Sequence, residues 1–120
     1  MANKKVLIAE DSSVIQNLTK KILQFQNFEI CSVKNGKEVL KELSKGNFDV
    51  ILMDINMPQM DGWDFLSEFE KLPAHVHQKC RVIMLTSSID FSDIKRSKTY
   101  SSVTDFISKP LTLEKLSALL

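Results

Sequence analysis

Glu10, Asp11, Asp54, Thr86 and Lys109 are the residues whose types could act together on a substrate. A carboxylate such as Asp54 can attack phosphorus and form an acyl phosphate. Glu10 and Asp11 add two further carboxylates, and three such groups gathered in one place repel unless a cation lies among them. Mg²⁺ meets that need: it prefers oxygen ligands, requires only one or two carboxylates, and keeps waters that phosphate oxygens can replace. Lys109 offers a mobile positive charge for a phosphate oxygen, and the Thr86 hydroxyl can donate a hydrogen bond to another. Taken singly, each has an ordinary explanation. Acids after a strand cap or favour the next helix terminus, Thr86 could cap the following segment, and Lys109 could simply be solvated. Their joint occurrence at the ends of apolar runs argues for a phosphoryl-transfer site.

Those runs must position the polar residues. Val6–Ala9, Val50–Met53 and Val82–Leu85 are continuously apolar, as central parallel strands buried on both faces should be. Phe28–Val33 and Val103–Ser108 are more mixed, carrying Glu29 and Ser32 in one and Thr104, Asp105 and Ser108 in the other, as edge strands do. Segments of helical period lie between them. Ser12 and Ser13 are candidate caps for a helix with a stripe of Ile15, Leu18, Ile22 and Phe25. Asn35-Gly36 reads as a turn before a short helix carrying Val39, Leu40 and Leu43 and ending near Gly46. A third helix starts at Gly62, with Phe65, Leu66, Phe69 and Leu72, and is closed by Pro73. Residues 91–100 have only Phe91, Ile94 and Tyr100 as apolar anchors, so this helix is expected to be the loosest. Leu113, Leu116 and Leu120 mark a last helix.

Strands alternating with helices predict an α/β fold, a five-stranded parallel sheet covered by helices on both faces. Polar strands at the edges favour the flavodoxin-like order 2-1-3-4-5, a three-layer αβα arrangement, over the Rossmann order. In that order the strand ends bearing Glu10-Asp11, Asp54, Thr86 and Lys109 are neighbours, at the rim where open α/β sheets bind ligands. Only the second strand offers nothing to the site.

The 120 residues suit one domain, 43% hydrophobic and 26% charged, with a formal net charge of +1. The balance gives no footprint for direct nucleic-acid binding. Val6–Ala9 is too short for a signal peptide or a membrane span, so no membrane association and a cytoplasmic location are expected. Cys31 and Cys80 are far apart in sequence and read as buried free thiols of a reducing compartment. His75-x-His77 has no third ligand at useful spacing and reads as surface. Trp63 is expected to pack against the helix that begins beside it.

The chain resembles the response-regulator receiver domains (CheY-like) of two-component signalling over essentially its whole length. Leu7-Ile8-Ala9-Glu10-Asp11 is similar to the acidic pair after the family's first strand. Asp54-Ile55-Asn56-Met57-Pro58-Gln59-Met60-Asp61-Gly62 matches the D-x-x-M-P-x-M-D-G segment, and Leu85-Thr86-Ser87 and Ser108-Lys109-Pro110 fit the hydroxyl and lysine-proline positions. Phe106 falls where the family keeps an aromatic switch residue. The resemblance implies that Asp54 is the phosphoacceptor. It implies that Asp11 binds Mg²⁺ directly and Glu10 through water, and that the Asn56 carbonyl completes the protein ligands. Thr86 and Lys109 would contact the phosphoryl group, Thr86 and Phe106 would form the switch, and Pro110 would follow a cis peptide bond that aims Lys109 into the site. Departures are small: Glu stands at the first acid in place of the more frequent Asp, Ser87 where a small residue, often Ala, is usual, and Phe106 lacks a hydroxyl.

By the same resemblance residues 1–120 are expected to form a single receiver domain, with no output domain expected in this chain. It would be phosphorylated by a sensor histidine kinase or a histidine phosphotransfer protein, and act on a downstream protein target or output domain through the face around residues 91–120. Homodimerisation is a further property of such domains. It would speed its own phosphorylation and hydrolysis without being an enzyme with a separate substrate. Three alternatives fit less well. A phosphatase resembling the haloacid dehalogenases needs a second carboxylate where Asn56 stands. A flavodoxin-like cofactor binder needs a phosphate cradle where Glu10-Asp11 would repel one. A receiver-like module that is never phosphorylated would not require the complete residue set found here.

Overall fold

The computed structural model describes residues 5–24, 28–46, 48–55, 62–73, 80–86, 91–100, 103–108, 112 and 114–115. Its elements alternate along the chain: β1 (Lys5–Ala9), α1 (Ser13–Gln24), β2 (Glu29–Val33), α2 (Gly36–Lys45), β3 (Val50–Asp54), α3 (Gly62–Phe69), β4 (Arg81–Thr86), α4 (Phe91–Ser97) and β5 (Val103–Ser108). The five strands form one sheet in the order β2-β1-β3-β4-β5, and every pairing is parallel. The expected flavodoxin-like architecture is the one observed. The apolar runs occupy the three central positions, and β3 is buried along its whole length. The mixed runs lie at the edges, where β2 and β5 are only half-buried.

Side chains alternate across a strand, and the core divides accordingly. Leu7, Ala9, Ile51, Met53, Val82 and Met84 pack with Val39, Leu43, Phe65, Leu66 and Phe69 of α2 and α3. Val6, Ile8, Val50, Leu52, Ile83 and Leu85 pack with Leu23 of α1 on the other face. The floor of the sheet is tied by Asp49. Its Oδ2 accepts from the Lys5 backbone N–H at 2.8 Å, its own N–H donates to the Lys5 carbonyl at 2.9 Å, and its carbonyl accepts from the Arg81 N–H at 3.0 Å. The starts of β1, β3 and β4 are thereby aligned, which fixes their far ends as well.

Two local readings are corrected. Asn35-Gly36 is the start of α2 rather than a tight turn: the Asn35 side chain accepts from the Glu38 N–H at 3.0 Å, and Glu38 reaches back to the Lys34 N–H at 2.7 Å. In α1 the buried residues are Gln16, Thr19 and Leu23, whereas Leu18 is 55% and Val14 69% exposed. The buried face is rotated from the apolar stripe because two polar side chains find partners inside. Thr19 Oγ1 donates to the Ile15 carbonyl at 2.8 Å, and Gln16 bonds two carbonyls described below. The last helix, with its leucines, lies mostly outside the described residues, as do His75 and His77. Among the described residues no helix is long and apolar enough to cross a membrane.

Both cysteines are free thiols, Cys80 buried as expected and Cys31 only partly so because β2 is an edge strand. Burial, reinforced by the negative charge of Asp49, pushes the Cys80 thiol from 9.0 up to about 12. Between those values the native chain keeps a proton that the unfolded chain releases. The stabilisation is therefore complete below pH 9.0 and is lost as pH rises toward 12, at no more than about 1.4 kcal/mol per pH unit. Denaturant midpoints measured from pH 9 to 11 should fall more steeply for the parent than for Cys80→Ala. Equal slopes would contradict this.

Candidate functional site

Glu10 and Asp11 follow β1, and Asp54 is the last residue of β3. The register of these neighbouring strands pairs Ala9 with Met53, so Glu10 and Asp54 sit at the same height one step beyond. Carboxylate oxygens of Glu10, Asp11 and Asp54 all lie within 4.8 Å of one another. Glu10 is 1% and Asp54 5% exposed, while Asp11 stands open to solvent at the mouth. Bringing two buried carboxylates and a third together is costly in proportion to their mutual repulsion and lost hydration. An all-oxygen donor set with one solvent-facing member is what a hard divalent cation takes, and it leaves room for water or phosphate oxygens. The residues therefore fit Mg²⁺.

On the other side of β3, Asp54 pairs with Leu85, and the Ile55 N–H donates to the Leu85 carbonyl at 3.1 Å. Thr86, the next residue, ends β4, is 3% exposed, and pairs with Ser108 at the end of β5. The Ser108 carbonyl is held by Lys115 Nζ at 2.8 Å. Thus the acids and Thr86 share the rim expected for them. Asn56, Lys109 and Pro110 lie outside the described residues.

Phe106 is half-buried on β5, in register with Met84 and packed against the core on the α2–α3 face. Trp63 packs more broadly than expected. Its ring stacks on Tyr100 at 6.0 Å between centroids and 26° between planes, and the Arg96 guanidinium lies 4.6 Å from its centroid. Tyr100 also shares a 3.4 Å contact with the Ser67 hydroxyl. These contacts join α3 to α4 and to the turn after it; among the described side chains of α4, Ser97 is the buried one. The helix expected to be loosest is thus tied by a cation–π contact, and the turn after it by a stacking contact, worth about 0.5–2 kcal/mol each.

Two residues at the site carry roles not assigned from sequence. Gln16 is one. Its Nε2 donates to the Glu10 carbonyl and to the Val33 carbonyl, both at 2.7 Å, and Val33 also accepts from the Glu10 N–H at 3.0 Å. The second strand, which seemed to offer nothing, thereby supports the acid loop. Gln16 lies off the expected apolar stripe of α1, so periodicity carried no signal for it. Gly62 is the other. A Cβ there would lie 2.8 Å from Met84 Cε, 3.1 Å from Ile55 Cα and 3.2 Å from the Asp54 carbonyl oxygen. Alanine gains at most about 1 kcal/mol of helix propensity, whereas overpacking against backbone costs about 1–3 kcal/mol. Gly62→Ala should therefore lose roughly 1–2 kcal/mol by urea denaturation; an unchanged midpoint would show that the strand yields freely.

Comparison with known proteins agrees with this geometry. Residues 6–120 match the response regulator receiver domain family. The chain is 27% identical to sporulation initiation phosphotransferase F of Bacillus subtilis, the match covering 97% of this chain and 90% of that protein. It is 28% identical to hybrid signal transduction histidine kinase B of Dictyostelium discoideum, over 89% of this chain but only 6% of that protein. A two-component response regulator from Cytophaga hutchinsonii superposes with a TM-score of 0.90 at 28% identity, covering 99% of this chain and 95% of the other.

Proposed function

This chain belongs to the response regulator receiver domain family of two-component phosphorelay signalling, and on that premise we propose that it accepts a phosphoryl group on Asp54 with Mg²⁺ held beside it. The observation that carries this reading is the convergence of the Glu10, Asp11 and Asp54 carboxylates within 4.8 Å at the rim of the sheet. Glu10, Asp11 and Asp54, with the carbonyl of Asn56, would hold the cation. When bound, Mg²⁺ offsets negative charge on the phosphoryl oxygens. An Asp54 carboxylate oxygen attacks phosphorus in line, forming an O–P bond as the N–P bond of a partner's phosphohistidine breaks and its electron pair returns to the imidazole. The buried setting of Asp54 restricts approach to one direction and strengthens each charge contact. Thr86 and Lys109 contact the transferred group.

The donor is a sensor histidine kinase or histidine phosphotransfer protein. Its histidine must reach Asp54 beside the acid loop, where exposed Val14 and Leu18 lie one turn apart on α1 and give an apolar foothold. Drawing the Thr86 hydroxyl toward the phosphoryl group lets Phe106 repack, which biases α4 and the face a downstream target reads. The domain remains a phosphoacceptor and turns over no separate substrate. Intact-mass measurement after acetyl phosphate treatment tests the core of this reading. One phosphoryl mass should be gained with Mg²⁺ and none with chelator. Mg²⁺-dependent consumption of acetyl phosphate with no covalent adduct at any time would favour a hydrolase instead.

A further inference from the structure

Consecutive residues in an extended chain point to opposite sides, yet Glu10 and Asp11 both bring a carboxylate oxygen within 4.8 Å of Asp54. The backbone must bend at this pair, and something must hold the bend against the repulsion it creates. The geometry points to Gln16 as the positioning residue that does so, and this rests on the reading of the three carboxylates as a Mg²⁺ site.

The Gln16 side chain is 8% exposed and sits on the first turns of α1, on the buried face. A primary amide has two N–H donors, and Gln16 commits its nitrogen to two carbonyls at 2.7 Å, Glu10 at the bend and Val33 at the end of β2. The Glu10 N–H donates to that same Val33 carbonyl at 3.0 Å. Both backbone groups of Glu10 are therefore fixed, one directly on β2 and the other through Gln16. The peptide plane that leads into Asp11 cannot rotate without breaking a buried hydrogen bond, whose loss leaves a carbonyl unsatisfied. Thr19, three residues further on and the next position of the buried face, bonds among the described residues to Ile15 of its own helix. It supplies an internal comparison: buried and polar like Gln16, but bonded to its own helix where Gln16 bonds to the loop.

Gln16→Met keeps length and burial and removes both donors; Gln16→Asn keeps the amide but shortens its reach. Partners that orient metal ligands typically change metal affinity about 10–100-fold when removed. Calorimetric titration with Mg²⁺ should show binding weakened about tenfold in both Gln16 variants and by less than twofold in Thr19→Val. In the metal-free proteins, hydrogen exchange at the Glu10 amide should accelerate in the Gln16 variants and stay unchanged in Thr19→Val, even where the melting temperatures fall equally. Unchanged Mg²⁺ affinity and unchanged Glu10 exchange in the Gln16 variants, beside a parent that binds Mg²⁺, would overturn this role and leave the metal reading intact. A parent that binds no Mg²⁺ would overturn the metal reading itself.

Discussion

Asp54→Asn should take up no phosphoryl group from acetyl phosphate, and in chelator it should melt at a higher temperature than the parent. The first result follows from removal of the nucleophilic oxygen. The second follows from electrostatics: the Asp54 carboxylate is buried within 4.8 Å of two others. Unit charges about 5 Å apart repel by roughly 3 kcal/mol at an effective dielectric of about 20, and less where Asp11 is open to solvent. A net relief of ~1 kcal/mol would raise the melting temperature by roughly 3–6 °C in a chain of this size. Saturating Mg²⁺ should then reverse the order. A ligand at 100 times its dissociation constant stabilises by about 2.7 kcal/mol, and the variant, with one ligand charge fewer, benefits less. Differential scanning calorimetry with and without Mg²⁺ reads both signs. A variant less stable than the parent in chelator would mean that the carboxylates are not in net repulsion.

Phe65→Ala should cost about 3–5 kcal/mol, a large part of the 5–15 kcal/mol that holds such a domain together. Phe65 has no exposed surface and stacks on Phe69, one helical turn later, at 5.2 Å between centroids and 24° between planes. The pair fills the space between α3 and the strands carrying Met53 and Met84. Its loss leaves a cavity in the layer against which Gly62 approaches the Asp54 carbonyl, so the effect should extend to Mg²⁺ affinity. Urea denaturation with an unchanged m-value provides the stability figure. A loss below ~1 kcal/mol would show that the helix collapses into the space.

What the sequence displayed depends on how each residue meets its surroundings. The runs Val6–Ala9, Val50–Met53 and Val82–Leu85 announced central strands because burial on both faces demands continuous apolarity. The polar residues in the second and fifth runs placed those strands at the edges, and with them the strand order and the shared rim. Periodicity misplaces the buried face of α1 because it counts apolar residues, whereas Gln16 and Thr19 are buried through hydrogen bonds that only the folded chain supplies. The sequence around Trp63 shows only local packing, because its partners Arg96 and Tyr100 come from a helix and turn more than thirty positions away. Asn35-Gly36 fits a turn and a helix cap equally well by composition, and Glu38 at the third helical position decides for the cap.

Borohydride reduction followed by peptide mapping addresses the nucleophile itself, because an aspartyl phosphate is reduced to homoserine whereas a free carboxylate is not. After acetyl phosphate and Mg²⁺, residue 54 should be recovered as homoserine, and chelator should prevent it. Recovery of unmodified Asp54 from protein carrying a phosphoryl group on another side chain would contradict the account.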